Sequence, residues 1–122
     1  MTSRGDLYQY QATVVSWHDG DTFHADVDLG AHVHWHGSVR CAGYNSPEIY
    51  GTSKTAGLAA LAYAQNLAPA GSVVFLDSLA FSSGAQSEED SFGRMLAEVT
   101  LPTGNELAAL MIIGGYAVAD PA

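Results

Sequence analysis

The chain has 122 residues, and its thirteen Asp and Glu against four Lys and Arg give a formal net charge of −9 at pH 7. This length suits one domain over residues 1–122, and no run of about 18 apolar residues predicts a membrane span. The single cysteine excludes an internal disulfide, and four cations exclude the long basic stripe that gives many nucleic-acid-binding proteins most of their affinity.

The first third of the chain predicts three β-strands. Residues 7–17 and 22–29 alternate polar and apolar side chains, and the Asp19-Gly20 pair between them is a hairpin signal. Alternation places Phe23, Ala25 and Val27 on one face of the second strand. Residues 33–44 are rich in β-branched and aromatic side chains, which favours a long third strand.

A helix is predicted after these strands, because Asn45-Ser46-Pro47 interrupts the strand pattern. Ser53 is the expected N-cap of a helix that ends near Leu67. The spacing predicts an apolar stripe formed by Leu58, Leu61, Ala64 and Ala68. Residues 72–80 then predict a fourth strand, and residues 82–90 a polar, mobile loop.

The last part of the chain predicts a fifth strand at residues 92–101 and a second helix from Leu107. Thr103 and Glu106 form a capping-box pattern ahead of that helix, and residues 116–119 read as a short extended segment. Three strands, a helix, two strands and a helix predict a mainly β protein with helices (α+β). We expect a five-stranded OB-type barrel, with a helix inserted after strand 3 and a second helix after strand 5.

Three motifs combine into a candidate site. HDGDTF at residues 18–23 is an acidic turn, VRCAGYNSPE contains Arg40 and Glu48, and EDSFGRMLAEV contains Arg94. A guanidinium is a rigid fork of donors that matches phosphate oxygens two at a time, and an acidic turn suits a hard cation. These residue types together are those that phosphodiester hydrolysis requires.

The motifs resemble the staphylococcal nuclease-like (thermonuclease) family over nearly the whole chain. HDGDTF resembles the metal-binding turn of that family, VRCAGYNSPE its arginine strand and acidic loop, and FGRML its second arginine strand. NELAALMIIGGYA resembles the helix and tail that follow this strand in the family. The resemblance implies a calcium-dependent phosphodiesterase on a five-stranded barrel.

The resemblance also implies the metal ligands and their neighbours. Asp21 would supply a carboxylate, Asn45 an amide oxygen and Ser46 its backbone carbonyl, with Asp19 behind them. Asn45 stands where the family often has aspartate, so the site loses a negative charge and another divalent cation could replace Ca²⁺.

The catalytic roles implied by the resemblance fall on three residues. Glu48 would orient or deprotonate the attacking water, while Arg40 and Arg94 would hold the phosphate and stabilise the charge of its transition state.

Simpler interpretations stay open for each motif. DGDT occurs often as a polar hairpin turn, and Arg40 could pair with Glu48 in an ion pair. Arg94 could likewise pair with Asp90 or Glu89 at the start of its strand.

The histidines offer a different metal hypothesis. His32, His34 and His36 are expected on one face of the third strand, but same-face residues lie about 7 Å apart, too far for all three to reach one ion. An exposed polar face is therefore the preferred interpretation. Cys41 is expected to be an inert core residue, because a strand interior raises the pKa of a thiol.

The expected function is a metal-dependent endonuclease that acts on DNA or RNA with little sequence preference and favours single strands. The protein is expected to be a monomer without membrane contact. The alternative is an inactive OB-fold module that binds nucleic acid or a basic protein. The amino-terminal residues contain no apolar leader, which predicts an intracellular protein, and the short chain fits one encoded by a phage.

Overall fold

The structure is a computed structural model, and it describes residues 9–82 and 94–120. Seven strands are present in this part of the chain, in the order β1 (Gln9–Asp19), β2 (Thr22–Gly30), β3 (Val33–Cys41), β4 (Tyr44–Asn45), β5 (Val73–Ser82), β6 (Arg94–Thr100) and β7 (Val118–Ala119). The α-helices are α1 (Lys54–Leu67), which follows a short 3₁₀ turn at Gly51–Ser53, and α2 (Leu107–Ile113).

The five long strands form a closed barrel in the order β1-β2-β3-β6-β5. β3 and β6 are parallel, and the other neighbours in the barrel are antiparallel. This topology confirms the predicted α+β OB-type barrel, with one helix after the third long strand and one after the fifth. The short strands β4 and β7 pair with each other outside the barrel.

Apolar side chains at every second position of each strand fill the barrel interior, because successive side chains of a strand point to opposite faces. Phe23, Ala25 and Val27 are all buried, which confirms the predicted inner face of β2. Leu107 and Met111 of α2 are fully buried and close the core from outside the sheet.

The predicted apolar stripe of α1 is wrong in part. Leu58 is 43% exposed, whereas the helix buries Gly57, Ala60 and Ala64. Small residues on this face let the helix axis lie close to the neighbouring backbone. Gly57 lies directly against the Glu48 carbonyl, and a Cβ at position 57 would overlap it.

The predicted N-cap position of α1 is confirmed, whereas the capping box predicted for α2 is wrong. Ser53 stands at the N-cap of α1, but its hydroxyl lies 3.2 Å from the Glu48 oxygen and 3.4 Å from the Tyr50 oxygen instead of capping the helix. Thr103 does not form a capping box, because the turn closed by Gly104 precedes the helix and Glu106 itself is the N-cap, without a side-chain bond.

The third strand is shorter than predicted. It ends at Cys41, because Gly43 adopts a left-handed backbone conformation with φ of +95° that a strand cannot contain. Tyr44 and Asn45 then form the separate strand β4.

Some of the predictions fall outside the described residues. These are the start of the first strand at residues 7–8, the start of the fifth at residues 92–93, and the polar loop beyond residue 82. Neither α1 nor α2, the α-helices of the described ranges, is long and apolar enough to cross a membrane.

Because Gly57 contacts the Glu48 carbonyl, we predict that Gly57→Ala destabilises the protein, although helix propensity alone predicts that it stabilises. At an open helical site Gly→Ala stabilises by about 0.5–1 kcal/mol. Here Gly57→Ala should lower the free energy of unfolding by about 1–3 kcal/mol, because the added methyl overpacks against backbone. Urea unfolding followed by circular dichroism measures it.

The matched control is Ala59→Gly on the exposed face of α1. It should cost only the propensity term of about 1 kcal/mol. If Gly57→Ala were to stabilise the protein, the close contact between α1 and the Glu48 loop would be wrong.

Candidate functional site

The acidic turn between β1 and β2 is held from several sides. Asp21 is only 8% exposed, and its Oδ2 accepts a hydrogen bond from the Ser46 backbone N–H at 3.0 Å. Its Oδ1 accepts one from the Thr22 hydroxyl at 3.2 Å, while the Asp21 N–H donates to Asp19 Oδ1 at 3.1 Å. The carboxylate of Asp21 is therefore fixed between the turn and the loop that follows β4.

Arg40 joins the turn to that loop. Its Nη1 donates to the backbone oxygens of Cys41 at 2.6 Å and Tyr44 at 3.0 Å. Its Nη2 donates to Asn45 Oδ1 and lies 3.5 Å from Asp21 Oδ2. Both terminal nitrogens of Arg40 are therefore engaged by residues of the turn, of the end of β3 and of the following loop.

Tyr44 and β7 fix the position of Asn45. The Tyr44 hydroxyl is buried and donates to the Gly20 carbonyl at 2.8 Å. β4 pairs with β7, so that Asn45 lies opposite Val118. The predicted extended segment near the end of the described chain therefore supports the candidate site.

Small residues allow the turn, the loop and α1 to meet. A Cβ placed at Gly20 would lie 2.8 Å from Ser46 Cβ and 3.0 Å from Ala60 Cβ. These distances are shorter than ordinary contacts, so only glycine fits here without movement of Ser46 or α1.

Arg94 lies on the strand next to Arg40. Register pairs Ser38 with Arg94 and Arg40 with Leu96 across the parallel strands β3 and β6. Arg40 and Arg94 are thus two positions apart on the same outer face, with Cα atoms separated by about 8 Å from ideal sheet spacing. Long guanidinium side chains on such positions can reach one phosphate group.

Glu48 is less firmly placed than the other predicted residues. Its side chain is exposed and forms no hydrogen bond or ion pair with the described residues. The alternative in which Arg40 pairs with Glu48 is therefore wrong, since Arg40 contacts Asp21 and Asn45 instead. Only the Glu48 backbone is held, by Ser53 and by contact with Gly57.

The protonation of the turn is set by burial. Desolvation raises the pKa of the Asp19 carboxyl and its interaction with the Asp21 carboxyl raises it further, whereas the hydrogen bond from the Asp21 backbone N–H lowers it. The two carboxyls are adjacent, so a cation or a shared proton near them relieves their repulsion. Burial also raises the pKa of Tyr44, which keeps its hydroxyl a donor to Gly20.

The oxygen atoms near Asp21 are of the type that binds a hard cation, but they carry little negative charge. Asp21 Oδ2 and Asn45 Oδ1 converge on the same nitrogen of Arg40, and the Ser46 hydroxyl is buried without a hydrogen bond. Carboxylate, amide and backbone oxygens suit Ca²⁺ or Mg²⁺. Within residues 9–82 and 94–120, however, no three His, Cys, Asp or Glu side chains are grouped closely enough to hold a metal ion.

Comparison with known proteins adds no name to this arrangement: no protein-family model matches the chain, and neither does any curated protein.

Three contributors to the site were not identified from the sequence. Tyr44 and Thr22 bind the turn through their hydroxyls, and Gly57 positions the Glu48 backbone. Two of these residues carry a signal in the sequence. Tyr44 is an aromatic residue directly before Asn45, and Gly57 is a glycine inside a helical pattern.

Cys41 lies behind the site and gives a test of how tightly this region is packed. Its side chain is 1% exposed, and burial raises the pKa of its thiol to about 12. We expect the native protein at about pH 8 to react with a disulfide reagent far more slowly than the denatured protein, because a thiolate is needed for attack. Absorbance at the wavelength of the released thiolate measures the rate.

Since Cys41 is the only cysteine, the signal reports this site alone, and the urea-unfolded protein is the control. Complete labelling of folded protein within the time of the denatured reaction would contradict the closed packing beneath Arg40.

Proposed function

We propose that the protein is a metal-dependent nuclease that hydrolyses phosphodiester bonds in DNA or RNA, of the staphylococcal nuclease-like kind. The observation that carries the proposal is the placement of Arg40. It lies beside Asp21 and Asn45, and on the same outer face of the barrel as Arg94. Two arginines of a chain with only four basic residues thus lie on neighbouring strands, and one of them, Arg40, is beside a buried carboxylate.

Arg40 is suited to hold a phosphate because half of its guanidinium is already oriented. The carbonyls of Cys41 and Tyr44 take both Nη1 protons and prevent rotation of the plane. The Nε–H would donate to a phosphate oxygen, since Nη2 already donates to Asn45 and lies against Asp21. A donor oriented in advance costs no reorganisation in the transition state, which is the usual source of electrostatic catalysis.

Arg94 would supply the second set of donors from the neighbouring strand. An in-line displacement spreads negative charge over the equatorial oxygens of the phosphate, and two guanidiniums can bind different oxygens of the group. Because the site lies at the surface of an acidic chain, cleavage should weaken as salt screens these contacts.

Asp21, Asn45 and the Ser46 carbonyl would hold the divalent cation, Ca²⁺ being the first candidate. Such an ion supplies Lewis-acid polarisation of a phosphate oxygen when bound. Asp19 would add negative charge behind these ligands.

Glu48 would act on the water. Its exposed carboxylate is free to turn toward a bound substrate, while its backbone is held by Ser53 and Gly57. A general base needs hydrogen-bond reach to the attacking water, which apo geometry often lacks.

The second candidate is an OB-fold module that binds nucleic acid or a basic protein without cleavage. The exposed Glu48 side chain, which contacts none of the described site residues, is the observation in its favour. The assay below separates the two functions.

The test is cleavage of single-stranded DNA, duplex DNA and RNA at low salt, with Ca²⁺ or with EDTA. Arg94→Ala should reduce the rate by at least about 10²-fold, because one preorganised donor is lost from the transition state. Glu48→Gln, which keeps the shape of the side chain, should reduce it as well. Circular dichroism should show both variants folded.

The matched control is Lys54→Ala, which also removes one positive charge, but at the exposed start of α1. It should cleave like the parent protein. Arg40→Ala is a poorer test, since removal of this guanidinium leaves Asp21 and two carbonyls without their partner. EDTA-resistant cleavage that survives in Arg94→Ala would reject the proposed site, and a folded protein without cleavage would favour the binding module.

Asn45→Asp tests the metal ligands separately from cleavage. It adds a carboxylate beside Asp21, so the Kd for Ca²⁺ measured by calorimetry should fall by about tenfold, or about 1.4 kcal/mol. Asn66→Asp, an equal change of charge on the exposed face of α1, should leave the affinity unchanged. Equal Ca²⁺ affinity in the parent protein and both variants would place Asn45 outside the metal site.

A further inference from the structure

The histidines are confined to one part of the chain. All five lie between residues 18 and 36, and three of them, His24, His34 and His36, are exposed on the outer face of β2 and β3. His32 does not share this face as predicted. It lies with Ala31 in the hairpin turn, where both have positive φ, 64° and 54°.

The outer face of β3 forms a line of groups that are or can become cationic. His34, His36 and Arg40 occupy alternate positions of this line, which spans about 20 Å and is interrupted at Ser38, a buried and uncharged residue. Arg94 lies beside Ser38 on β6. The line therefore ends at the two arginines of the candidate site.

Among the described residues, few charged groups face the imidazoles. Asp26 Oδ1 lies 2.7 Å from His34 Nδ1 and 3.2 Å from His36 Nε2, and Asp28 is opposite His34 in the register. The hydrogen bond with His34 lowers the pKa of the Asp26 carboxyl, so it stays ionised as the imidazoles gain protons.

Within residues 9–82 and 94–120, the neighbouring strands add little opposing charge. On β1 the register partners of Asp28, Asp26 and His24 are Gln11, Thr13 and Ser16, which are uncharged. On β6 the facing cation is Arg94, and Glu98 lies further along, past the level of Arg40.

Protonation would make this face, whose charges otherwise balance, net positive. Asp26 and Asp28 offset Arg40 and Arg94 while the imidazoles are neutral, whereas protonated His24, His34 and His36 add three positive charges. Imidazoles ordinarily titrate between about pH 5 and 8. Protonation of these imidazoles would give a chain with a net charge of −9 a local cationic surface.

A cleft lies beside this line. It has a volume of about 410 Å³, and its walls include Val15, His24, Asp26 and His36. Val15 is 55% exposed and gives the cleft an apolar floor, which suits a sugar or a base more than a phosphate.

We propose that the outer face of β2 and β3, centred on His34 and His36, is a docking surface for single-stranded nucleic acid that forms when these histidines are protonated. The proposal rests on the proposed nuclease function, since the surface leads a strand to Arg40 and Arg94. A linear row of cations fits the regular phosphates of one strand and supplies the positive charge that the rest of the chain lacks.

The test measures binding without cleavage. Fluorescence anisotropy with an oligothymidylate of about ten nucleotides in EDTA would be recorded near pH 5.5 and near pH 8. The parent protein should bind at least about tenfold more tightly at the lower pH. Three added phosphate contacts at about 0.7 each should steepen the slope of log affinity against log salt by about two.

Three variants make the result specific. The double variant His34→Gln, His36→Gln should lose most of the pH dependence, and His34→Arg, His36→Arg should bind tightly at both pH values. His32→Asn is the matched control, because it removes a histidine from the turn with a residue that tolerates positive φ, and it should behave like the parent. Circular dichroism at both pH values checks that each variant is folded.

Binding that is independent of pH, or a pH dependence that persists in the double Gln variant, would overturn the proposal. The proposed nuclease is judged apart from it, by Ca²⁺-dependent cleavage and by Arg94→Ala at neutral pH.

Discussion

The arrangement of the candidate site depends on the hydrogen bonds of one guanidinium. Arg40 is bonded to the carbonyls of Cys41 and Tyr44, to the side chain of Asn45, and by charge to Asp21. It thereby links the end of β3, the following loop and the acidic turn. Both Arg40 and Asp21 are largely removed from water, so loss of either would leave a buried group unpaired, at a cost of about 3–5 kcal/mol for a fully buried pair.

Close approach of backbone segments makes this linkage geometrically possible. Gly20 packs against Ser46 and Ala60, and Gly57 packs against the Glu48 carbonyl. Glycine at these two positions and alanine on the buried face of α1 allow the helix to pack closely against the loop after β4 and the acidic turn. The same residues that make α1 weakly amphipathic therefore bring the candidate ligands together.

The electrostatics of the chain connect the two proposals. In the proposed function Arg40 would hold a substrate phosphate while it is bound to Asp21 and Asn45, so the site itself would provide little net positive charge. The exposed imidazoles on β2 and β3 lie on the same outer face, and their protonation would add positive charge there. Affinity for a polyanion would then depend on pH through a surface distinct from the reacting groups.

Much of the barrel was accessible from the sequence, because strand alternation, hairpin turns and the proline after β4 are local signals. Phe23, Ala25 and Val27 were placed inside by period alone. Ser53 was also predicted as the N-cap of α1, but the N-cap of α2 and the buried face of α1 were not predicted, because they depend on the backbone that each helix meets. Leu58 is exposed for that reason, although its spacing suggested the core.

The sequence by itself determined the order of elements, the alternation that builds the barrel and the identity of the six candidate site residues. Only the tertiary structure decided that Arg40 bonds Asn45 and Asp21 rather than Glu48, and that Asp26 lies between His34 and His36. It also decided that β7 holds Asn45 from a segment far along the chain. Each of these contacts joins residues from different elements, and their distances follow from barrel closure and strand register, which no local pattern of residues specifies.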